Sequence, residues 1–247
     1  MSVTDPPLRD ALADAVGAAP CTEAGGVAKV KYRPETAGFL AAIRVHRVST
    51  LLAQQGRAIG LPDDVVLPLK THARMVAMQS LANARSTLSV MAALADADVD
   101  ALTFKGTALL LQTTSAVRAR HSVDVDILVR PADMPRAHDA LLANGFTPCM
   151  RIYPTGGAVW RPTRWVTREL PYARQDCAVD LHWRIAPGHG LFPDTDQLLS
   201  RAVSLPLSGQ QIRTLSLGDA CAAACLHASS TATTTCATLW ISIDCCA

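Results

Sequence analysis

The chain has 247 residues, of which 49% are apolar and 4% aromatic, and its formal net charge at pH 7 is +2. This length is ample for a hydrophobic core. The small charge excludes a protein that binds nucleic acid through overall basic character, so any polyanion site must be local. The first residues, Met1 to Pro7, show no basic segment followed by an apolar one, and no apolar run reaches about 18 residues. We expect a cytoplasmic protein without a membrane partner.

The first 96 residues divide into a loose segment and a helical one. Residues 1–36 are rich in Ala, Gly and Pro and lack a regular apolar pattern. From Phe39 to Leu52, apolar residues recur at spacings of three and four. A longer helix or helix pair is predicted at about residues 65–96. Residues 37–96 are therefore predicted to be a helical segment that packs on the core that follows.

Short strands and helices alternate over residues 97–205. Strands are predicted at 101–104, 123–129, 146–153, 165–173 and 178–185, and the third and fourth of these are expected to be antiparallel. One helix begins near residue 108, and another runs from Pro131 to Asn144 with Gly145 as its stop. This order predicts an α+β (α/β) fold, in which a mixed β-sheet carries helices on one side.

Residues 206–247 are predicted to be a partial helical region with an irregular tail. Residues 220–228 favour a helix, whereas the Ser/Thr-rich run from Ser229 to Thr235 disfavours one. Cys221, Cys225 and His227 could share part of that helix surface. They are a weak zinc candidate, because the eight cysteines of the chain include no Cys-x-x-Cys pair.

Two aspartates separated by one residue are the most informative feature of the chain. Asp124 and Asp126 lie in a predicted strand, so their side chains share one face with Cα atoms roughly 6–7 Å apart, while Val125 and Ile127 point to the other. Carboxylates held this close repel each other, and a raised pKa, a basic neighbour or a divalent cation relieves the repulsion. Oxygen-only ligation favours Mg²⁺ or Mn²⁺. The alternative is an edge strand whose polar face is solvated.

A third aspartate lies on a later predicted strand. Alternation puts Asp180 and His182 on one face of that strand and Leu181 and Trp183 on the other. If this strand neighbours the first, Asp180 joins Asp124 and Asp126, and the three carboxylates could hold two cations about 3.5–4 Å apart. The alternative is that Asp180 is an exposed strand residue.

Basic residues upstream of the aspartates suit a phosphate. Lys105, Gly106 and Thr107 stand where a strand gives way to a helix, and Gly106 lets backbone N–H groups approach a phosphate closely. Arg118 and Arg120 precede the aspartates and could supply counter-charge. The alternatives are an ordinary strand-to-helix turn and a solvated loop.

Three segments taken together resemble a known family. The segments are Leu102-Thr-Phe-Lys-Gly106, Arg120-His-Ser-Val-Asp-Val-Asp-Ile-Leu-Val129 and Val179-Asp-Leu-His-Trp183. Over roughly residues 38–228 the chain resembles the uncharacterised nucleotidyltransferase family within the polymerase-beta-like nucleotidyltransferase superfamily. It has Gly106-Thr107 where the wider superfamily has Gly-Ser or Gly-Gly. Beyond residue 228 it departs from the family's further helices, which implies a truncated or altered C-terminal helical region.

The resemblance implies a site and a reaction. Asp124 and Asp126 would be the metal-binding pair and Asp180 the third carboxylate, so that these three would be both the catalytic and the metal-binding residues. Lys105, Gly106, Thr107 and Arg120 would bind the nucleotide, while His182 and Trp183 would form a wall or acceptor side. The implied activity is Mg²⁺- or Mn²⁺-dependent transfer of a nucleoside monophosphate from an NTP to a hydroxyl-bearing acceptor, with release of pyrophosphate. The acceptor could be a small molecule, a peptide or a protein, and nucleic acid is the least favoured.

Two other functions stay open from the sequence. One is a glycosyltransferase whose Asp-x-Asp holds a metal on a nucleotide sugar, although the chain lacks a Rossmann-like glycine pattern. The other is a catalytically impaired module that binds a nucleotide or a partner, in which the altered tail has removed catalysis.

Overall fold

The computed structural model of the protein describes residues 36–45, 48–55, 60–113, 124–151, 154, 160–175, 177–186, 190 and 192–230. Over these residues the chain forms eight helices and seven strands. None of the helices in this described part is both long enough and apolar enough to cross a membrane.

Three N-terminal helices precede the sheet. They are α1 (Thr36–Val45), α2 (Ser49–Gln55) and α3 (Asp63–Asp96). Phe39, Ile43, Leu52 and Leu69 are buried together where the first two helices meet the start of α3. Three helices thus lie within residues 36–96, and the longer part, predicted as a helix or helix pair, is one continuous helix.

The seven strands form one mixed sheet. They are β1 (Ala101–Phe104), β2 (Asp124–Val129), β3 (Thr147–Pro148), β4 (Glu169–Arg174), β5 (Cys177–His182), β6 (Val203–Leu207) and β7 (Gln210–Thr214), in the spatial order β3-β4-β5-β2-β1-β7-β6. The β2–β5 and β1–β7 pairs are parallel, and the others are antiparallel. The predicted mixed α/β architecture is confirmed.

Helices cover both faces of the sheet, whereas the sequence predicted them on one side. The remaining helices are α4 (Gly106–Thr113), α5 (Met134–Ala143), α6 (Trp160–Val166), α7 (Thr195–Ser200) and α8 (Leu217–Ser230). Val125, Ile127 and Val129 of β2 share one core with α3 and α5. Leu128 of the same strand is buried in a second core with α7 and α8. Strand β2 is therefore apolar on both faces beyond its aspartates, which is why it sits near the middle of the sheet.

The predicted stop of α5 is confirmed in detail. Gly145 adopts a φ of +81°, the left-handed conformation that favours glycine. Its N–H donates to the carbonyl of Leu142 at 3.0 Å, and the N–H of Phe146 donates to that of Leu141 at 3.0 Å. These two bonds form a Schellman motif. The helix begins at Met134, after a turn that contains the predicted start at Pro131.

Two predicted strand boundaries are wrong. The strand predicted at 165–173 begins only at Glu169, because residues 160–166 form α6. Trp160 stacks edge-on against Trp183 at 5.1 Å, and the indole N–H of Trp183 donates to the carbonyl of Arg164 at 3.3 Å. Tertiary packing of two indole rings thus overrides the β-propensity of the segment. The strand predicted at 146–153 is reduced to the two residues of β3.

The β6–β7 hairpin is a feature that the sequence analysis did not predict. Leu207 pairs with Gln210, so Ser208 and Gly209 form a two-residue turn with φ values of 50° and 82°. Two positive φ values are typical of the turns that match strand twist. The hairpin extends the sheet at the β1 edge through the β1–β7 pair. The predicted domain boundaries, including the one at residue 205, stay predictions.

Candidate active site

Asp126 and Asp180 face each other across two neighbouring strands. Strands β2 and β5 are parallel, and their register pairs Asp126 with Asp180. Carboxylate oxygens of both residues and a ring nitrogen of His182 lie within 4.8 Å of one another. Asp124 lies two residues before Asp126 on the same strand face, and its charge acts on Asp180. The structure thus brings two of the three predicted carboxylates, Asp126 and Asp180, into one group, and it places Asp124 near enough for its charge to act on Asp180.

Asp126 is the buried centre of this cluster. Its side chain is only 4% exposed, and its Oδ1 accepts hydrogen bonds from Nζ of Lys105 at 2.6 Å and from Nε2 of His182 at 3.0 Å. Burial alone would raise the pKa of this carboxyl group. The hydrogen bond from His182 and the charge of Lys105 outweigh burial, so the pKa of Asp126 lies below its usual value. Asp126 is therefore an anion at neutral pH.

Lys105 reaches Asp126 because the backbone turns sharply between β1 and α4. Lys105 and Gly106 have φ values of 59° and 35°, and α4 begins at Gly106. The carbonyl of Lys105 accepts the first helical hydrogen bond, from the N–H of Leu109 at 2.9 Å. A left-handed lysine is an uncommon conformation that costs energy, and such residues concentrate at functional sites. Thr107, also predicted to bind the nucleotide, is buried in the first turn of α4.

His182 links Asp126 to a fourth carboxylate that the sequence analysis missed. Glu169, the first residue of β4, is the cross-strand partner of His182. Its Oε2 lies 3.1 Å from Nδ1 of the imidazole ring, and Nε of Arg168 donates to the same oxygen at 3.1 Å. The motif Val179-Asp-Leu-His-Trp183 drew attention to His182. The sequence did not show that β4 is the strand beside His182, so Glu169 was not predicted as a residue of the site.

The two nitrogens of His182 have different roles. The ring is 1% exposed, and burial lowers its pKa although Asp126 opposes the shift, so the imidazole is neutral at pH 7. Because an ionised carboxylate only accepts, the single ring proton sits on Nε2 and is donated to Asp126. Among the described residues, Nδ1 has no hydrogen-bond donor and faces Glu169.

The cluster carries excess negative charge. Burial raises the pKa of Asp180 to about 7, and the charges of Asp124, Asp126 and Glu169 act in the same direction, while Lys105 opposes them. Within the part of the chain that the structure describes, four carboxylates lie near two cations, Lys105 and Arg168. A divalent cation would relieve this imbalance. A donor set of carboxylate oxygens suits Mg²⁺ and Mn²⁺.

A narrow recess lies beside the carboxylates. The polar part of its wall consists of Lys105, Arg168, His182 and, on α8, His227. The apolar part comes from β1, from the segment after β5 and from α8, and consists of Phe104, Ile185, Ala223 and Leu226. Phe104 contacts both Lys105, whose Nζ is 5.0 Å from the ring centroid, and His182, whose ring is 4.9 Å away edge-on. The recess is therefore polar on the side of the carboxylates and apolar on the side of α8.

The remaining residues that the sequence singled out do not join this site in the described part of the structure. Arg118 and Arg120 lie outside the described residues. Trp183, predicted as a wall or acceptor side, is buried in the first core. Cys221, Cys225 and His227 do not gather into a metal-binding group, since the one such group within the described ranges is Asp126, Asp180 and His182.

Three comparisons place the chain among known proteins. No curated protein matches it. One solved structure that it resembles is the solution structure of the antibiotic-resistance factor ANT(2'')-Ia, with 12% identity, 67% of this chain and 82% of that chain covered, and a TM-score of 0.47. A family model described as an uncharacterised nucleotidyltransferase matches residues 34–244. That match runs past the point at which the sequence analysis expected the resemblance to stop. The chain belongs to the uncharacterised nucleotidyltransferase family.

Proposed function

We propose that the protein is a divalent-metal-dependent nucleotidyltransferase. It moves a nucleoside monophosphate from an NTP to a hydroxyl group of an acceptor and releases pyrophosphate. The observation that supports this most is the pairing of Asp126 with Asp180 on parallel strands. Their carboxylate oxygens and a nitrogen of His182 lie within 4.8 Å of one another. The chain that carries this group belongs to a nucleotidyltransferase family. A cytoplasmic location stays a prediction of the sequence.

Asp124, Asp126 and Asp180 would hold Mg²⁺ or Mn²⁺. The bound cation would supply charge neutralisation on the phosphates and help orient the reacting groups. His182 fixes the orientation of Asp126 through its Nε2–H, so that the carboxylate needs little rearrangement to act. Lys105, Gly106, Thr107 and Arg120 are the residues that we propose for the phosphates, with the N-terminus of α4 behind the turn.

The transfer balances without any redox partner. The acceptor oxygen forms a bond to the α-phosphorus, the bond between the α-phosphorus and its bridging oxygen breaks, and pyrophosphate leaves with the electron pair. The hydroxyl proton passes to a nearby carboxylate or to water. Such reactions depend mainly on positioning and on charge stabilisation, and the cluster of fixed carboxylates and cations is suited to both.

The acceptor is proposed only by class. It is a hydroxyl-bearing small molecule, peptide or protein, because the net charge of +2 gives no general attraction to nucleic acid. One open groove next to the site has a volume of about 340 Å³ and contains Trp165, Arg184 and Phe192 in its lining. It shares Ile185 with the recess beside the carboxylates. A groove of this size suits a small molecule or a peptide side chain.

The test is an NTP screen with Mg²⁺ or Mn²⁺. Each α-³²P-labelled NTP is incubated with the protein and with metabolite and protein extracts as acceptor pools, and both covalent label and pyrophosphate are measured. Asp126→Asn should reduce transfer by at least about 10³-fold. Asp98→Asn is the matched control, because Asp98 is fully exposed and its left-handed φ of 54° is one that Asn tolerates.

Each outcome separates the candidate functions. Label that moves only from nucleotide sugars would replace the proposal with a glycosyltransferase. A thermal shift with NTP and Mg²⁺ but no pyrophosphate from any pool would favour a binding module. Equal activity of Asp126→Asn and the wild type would reject the assignment of the site.

A further inference from the structure

The recess beside Asp126 is closed by ion pairs within the protein. Nζ of Lys105 binds Asp126 and Nε of Arg168 binds Glu169, and both cations line the recess while their side chains are 30% and 29% exposed. Only about 10 Å³ of free space is left there, which is room for about one water molecule. A phosphate cannot enter while both pairs persist.

His182 lies between the two acidic partners and bonds to one of them. Its Nε2 lies 3.0 Å from Oδ1 of Asp126 and donates to it, whereas its Nδ1, 3.1 Å from Oε2 of Glu169, carries no proton and makes no hydrogen bond there. The buried ring therefore keeps Asp126 in place when Lys105 moves. Lys105 and Arg168 are therefore the mobile partners of the two pairs, since each has a flexible stem that reaches the recess.

Each cation is bound to an anion that has another use in the proposed function. Asp126 is a proposed ligand of the divalent cation, and Lys105 occupies one of its oxygens. Glu169 adds to the negative charge that acts on Asp180. When a divalent cation enters the cluster, it competes with Lys105 for Asp126. The displaced ammonium group then needs an anion, and the phosphates of an NTP are the anions at hand. Arg168 lies in the same recess, and its partner Glu169 is not a proposed ligand of the cation, so this guanidinium can also turn to a phosphate.

We propose that Lys105 and Arg168 together form the triphosphate-binding cradle: Lys105 exchanges Asp126 for a phosphate when the divalent cation binds, and Arg168 exchanges Glu169 for a phosphate when the triphosphate enters. In the ligand-free protein the ammonium group of Lys105 stands in for the cation at Asp126. Arg168 is a phosphate-binding residue that the family motifs do not mark. The inference rests on the proposed function, because it takes the triphosphate of an NTP as the ligand.

Binding of Mn²⁺ alone tests the exchange. Lys105→Met removes the competing charge without changing the left-handed backbone preference, since neither residue is glycine. Without any nucleotide, this variant should bind Mn²⁺ at least about threefold more tightly than the wild type, as measured by electron paramagnetic resonance of free Mn²⁺. Lys105→Arg keeps the charge and should bind Mn²⁺ like the wild type. Equal or weaker binding by Lys105→Met would overturn the exchange.

Binding of tripolyphosphate with saturating Mg²⁺ tests the cradle, because the exchange is proposed to take place when the divalent cation binds. Calorimetry should show a loss of about tenfold in affinity for Lys105→Met and also for Arg168→Gln. Arg136→Gln is the control, because Arg136 is also ion-paired with carboxylates but lies on α5, away from the recess. Unchanged affinity of a folded Arg168→Gln variant would remove Arg168 from the cradle. Melting temperatures show whether each variant is folded.

These measurements need neither NTP turnover nor an acceptor. A protein that shows the exchange but transfers no nucleotide would contradict the proposed function and leave the inference standing. A protein that transfers nucleotide while Lys105→Met binds Mn²⁺ no better than the wild type would contradict the inference alone.

Discussion

Asp126 and Asp180 are register partners of two parallel strands, so their carboxylates meet side by side on one face of the sheet. The arrangement places like charges in a partly buried position. It raises the pKa of Asp180 to about 7, with burial as the largest cause. A protein that uses such a pair to hold a cation must therefore tolerate the repulsion when no cation is bound.

We expect Asp180→Asn to stabilise the metal-free protein at pH 8. The raised pKa means that the folded state keeps a proton that the unfolded state loses between about pH 4 and pH 7, so stability falls as pH rises through that window. The variant avoids this penalty and should gain ~1 kcal/mol, less than the full shift because water screens a half-buried group. Urea unfolding in EDTA at pH 8 measures it. A less stable variant would show that Asp180 has a favourable partner instead.

His182→Gln should weaken the site without unfolding the protein. A glutamine amide can still donate to Asp126, but it cannot keep the edge contact with Phe104 that helps to fix the imidazole ring. Residues that orient a metal ligand typically contribute 10- to 100-fold to metal affinity or activity. We expect a loss of roughly that size in Mn²⁺ affinity. Unchanged affinity in a folded variant would mean that His182 only fills space.

The buried residue His138 should make the folded protein less stable as the pH falls below 6.5, the ordinary pKa of histidine. His138 lies 2.8 Å from the hydroxyl of Tyr172, and burial lowers its pKa below the ordinary 6.5. The unfolded chain then binds a proton near pH 6.5 that the folded protein does not, so stability is retained above this pH and lost below it. Asp180 acts in the opposite direction over this range, so the comparison is made in the Asp180→Asn background. Melting temperatures from pH 7.5 to 5.5 should fall in that variant, with a shallower slope when His138→Gln is added. His182 keeps part of the slope, because its pKa is also lowered. An unchanged slope in the variant would rule out His138 as a source.

Gly145→Ala should destabilise the protein through its backbone. A Cβ atom at this position would meet only Cδ of Arg174, at 3.8 Å, so there is no clash. The cost comes from the φ of +81° and should be ~1 kcal/mol. Gly218→Ala is the matched control, because Gly218 lies in α8 with open space around it and no left-handed φ. It should be neutral or slightly stabilising. An equal loss in both variants would point away from backbone strain.

Strand periodicity predicted the orientation of the aspartates well. Asp124 and Asp126 were expected opposite an apolar face, and Val125 and Ile127 are buried there. Alternation works here because β2 is straight and central. The pairing of Asp126 with Asp180 depended on strand order, which periodicity does not encode, and the family motif supplied the link.

Sequence reasoning failed where contacts between distant segments decide the local structure. Helix α6 forms where aromatic and β-branched residues favoured a strand, because Trp160 packs on Trp183. Glu169 escaped notice because its role depends on being the neighbour of His182 across β4 and β5. The Ser208-Gly209 turn was a readable hairpin pattern that the sequence analysis overlooked.

The parallel alignment of β2 with β5 has a consequence for how the protein acquires activity. Parallel neighbours cannot be joined by a tight turn, and α5, β3, α6 and β4 lie between the two strands in the chain, so Asp180 follows all four elements. Contacts between such distant segments form slowly. Partly synthesised or partly unfolded chains would therefore lack the assembled carboxylate pair. Under the proposed function, a destabilising substitution anywhere in the sheet would reduce activity in proportion to the fraction of molecules that remain folded.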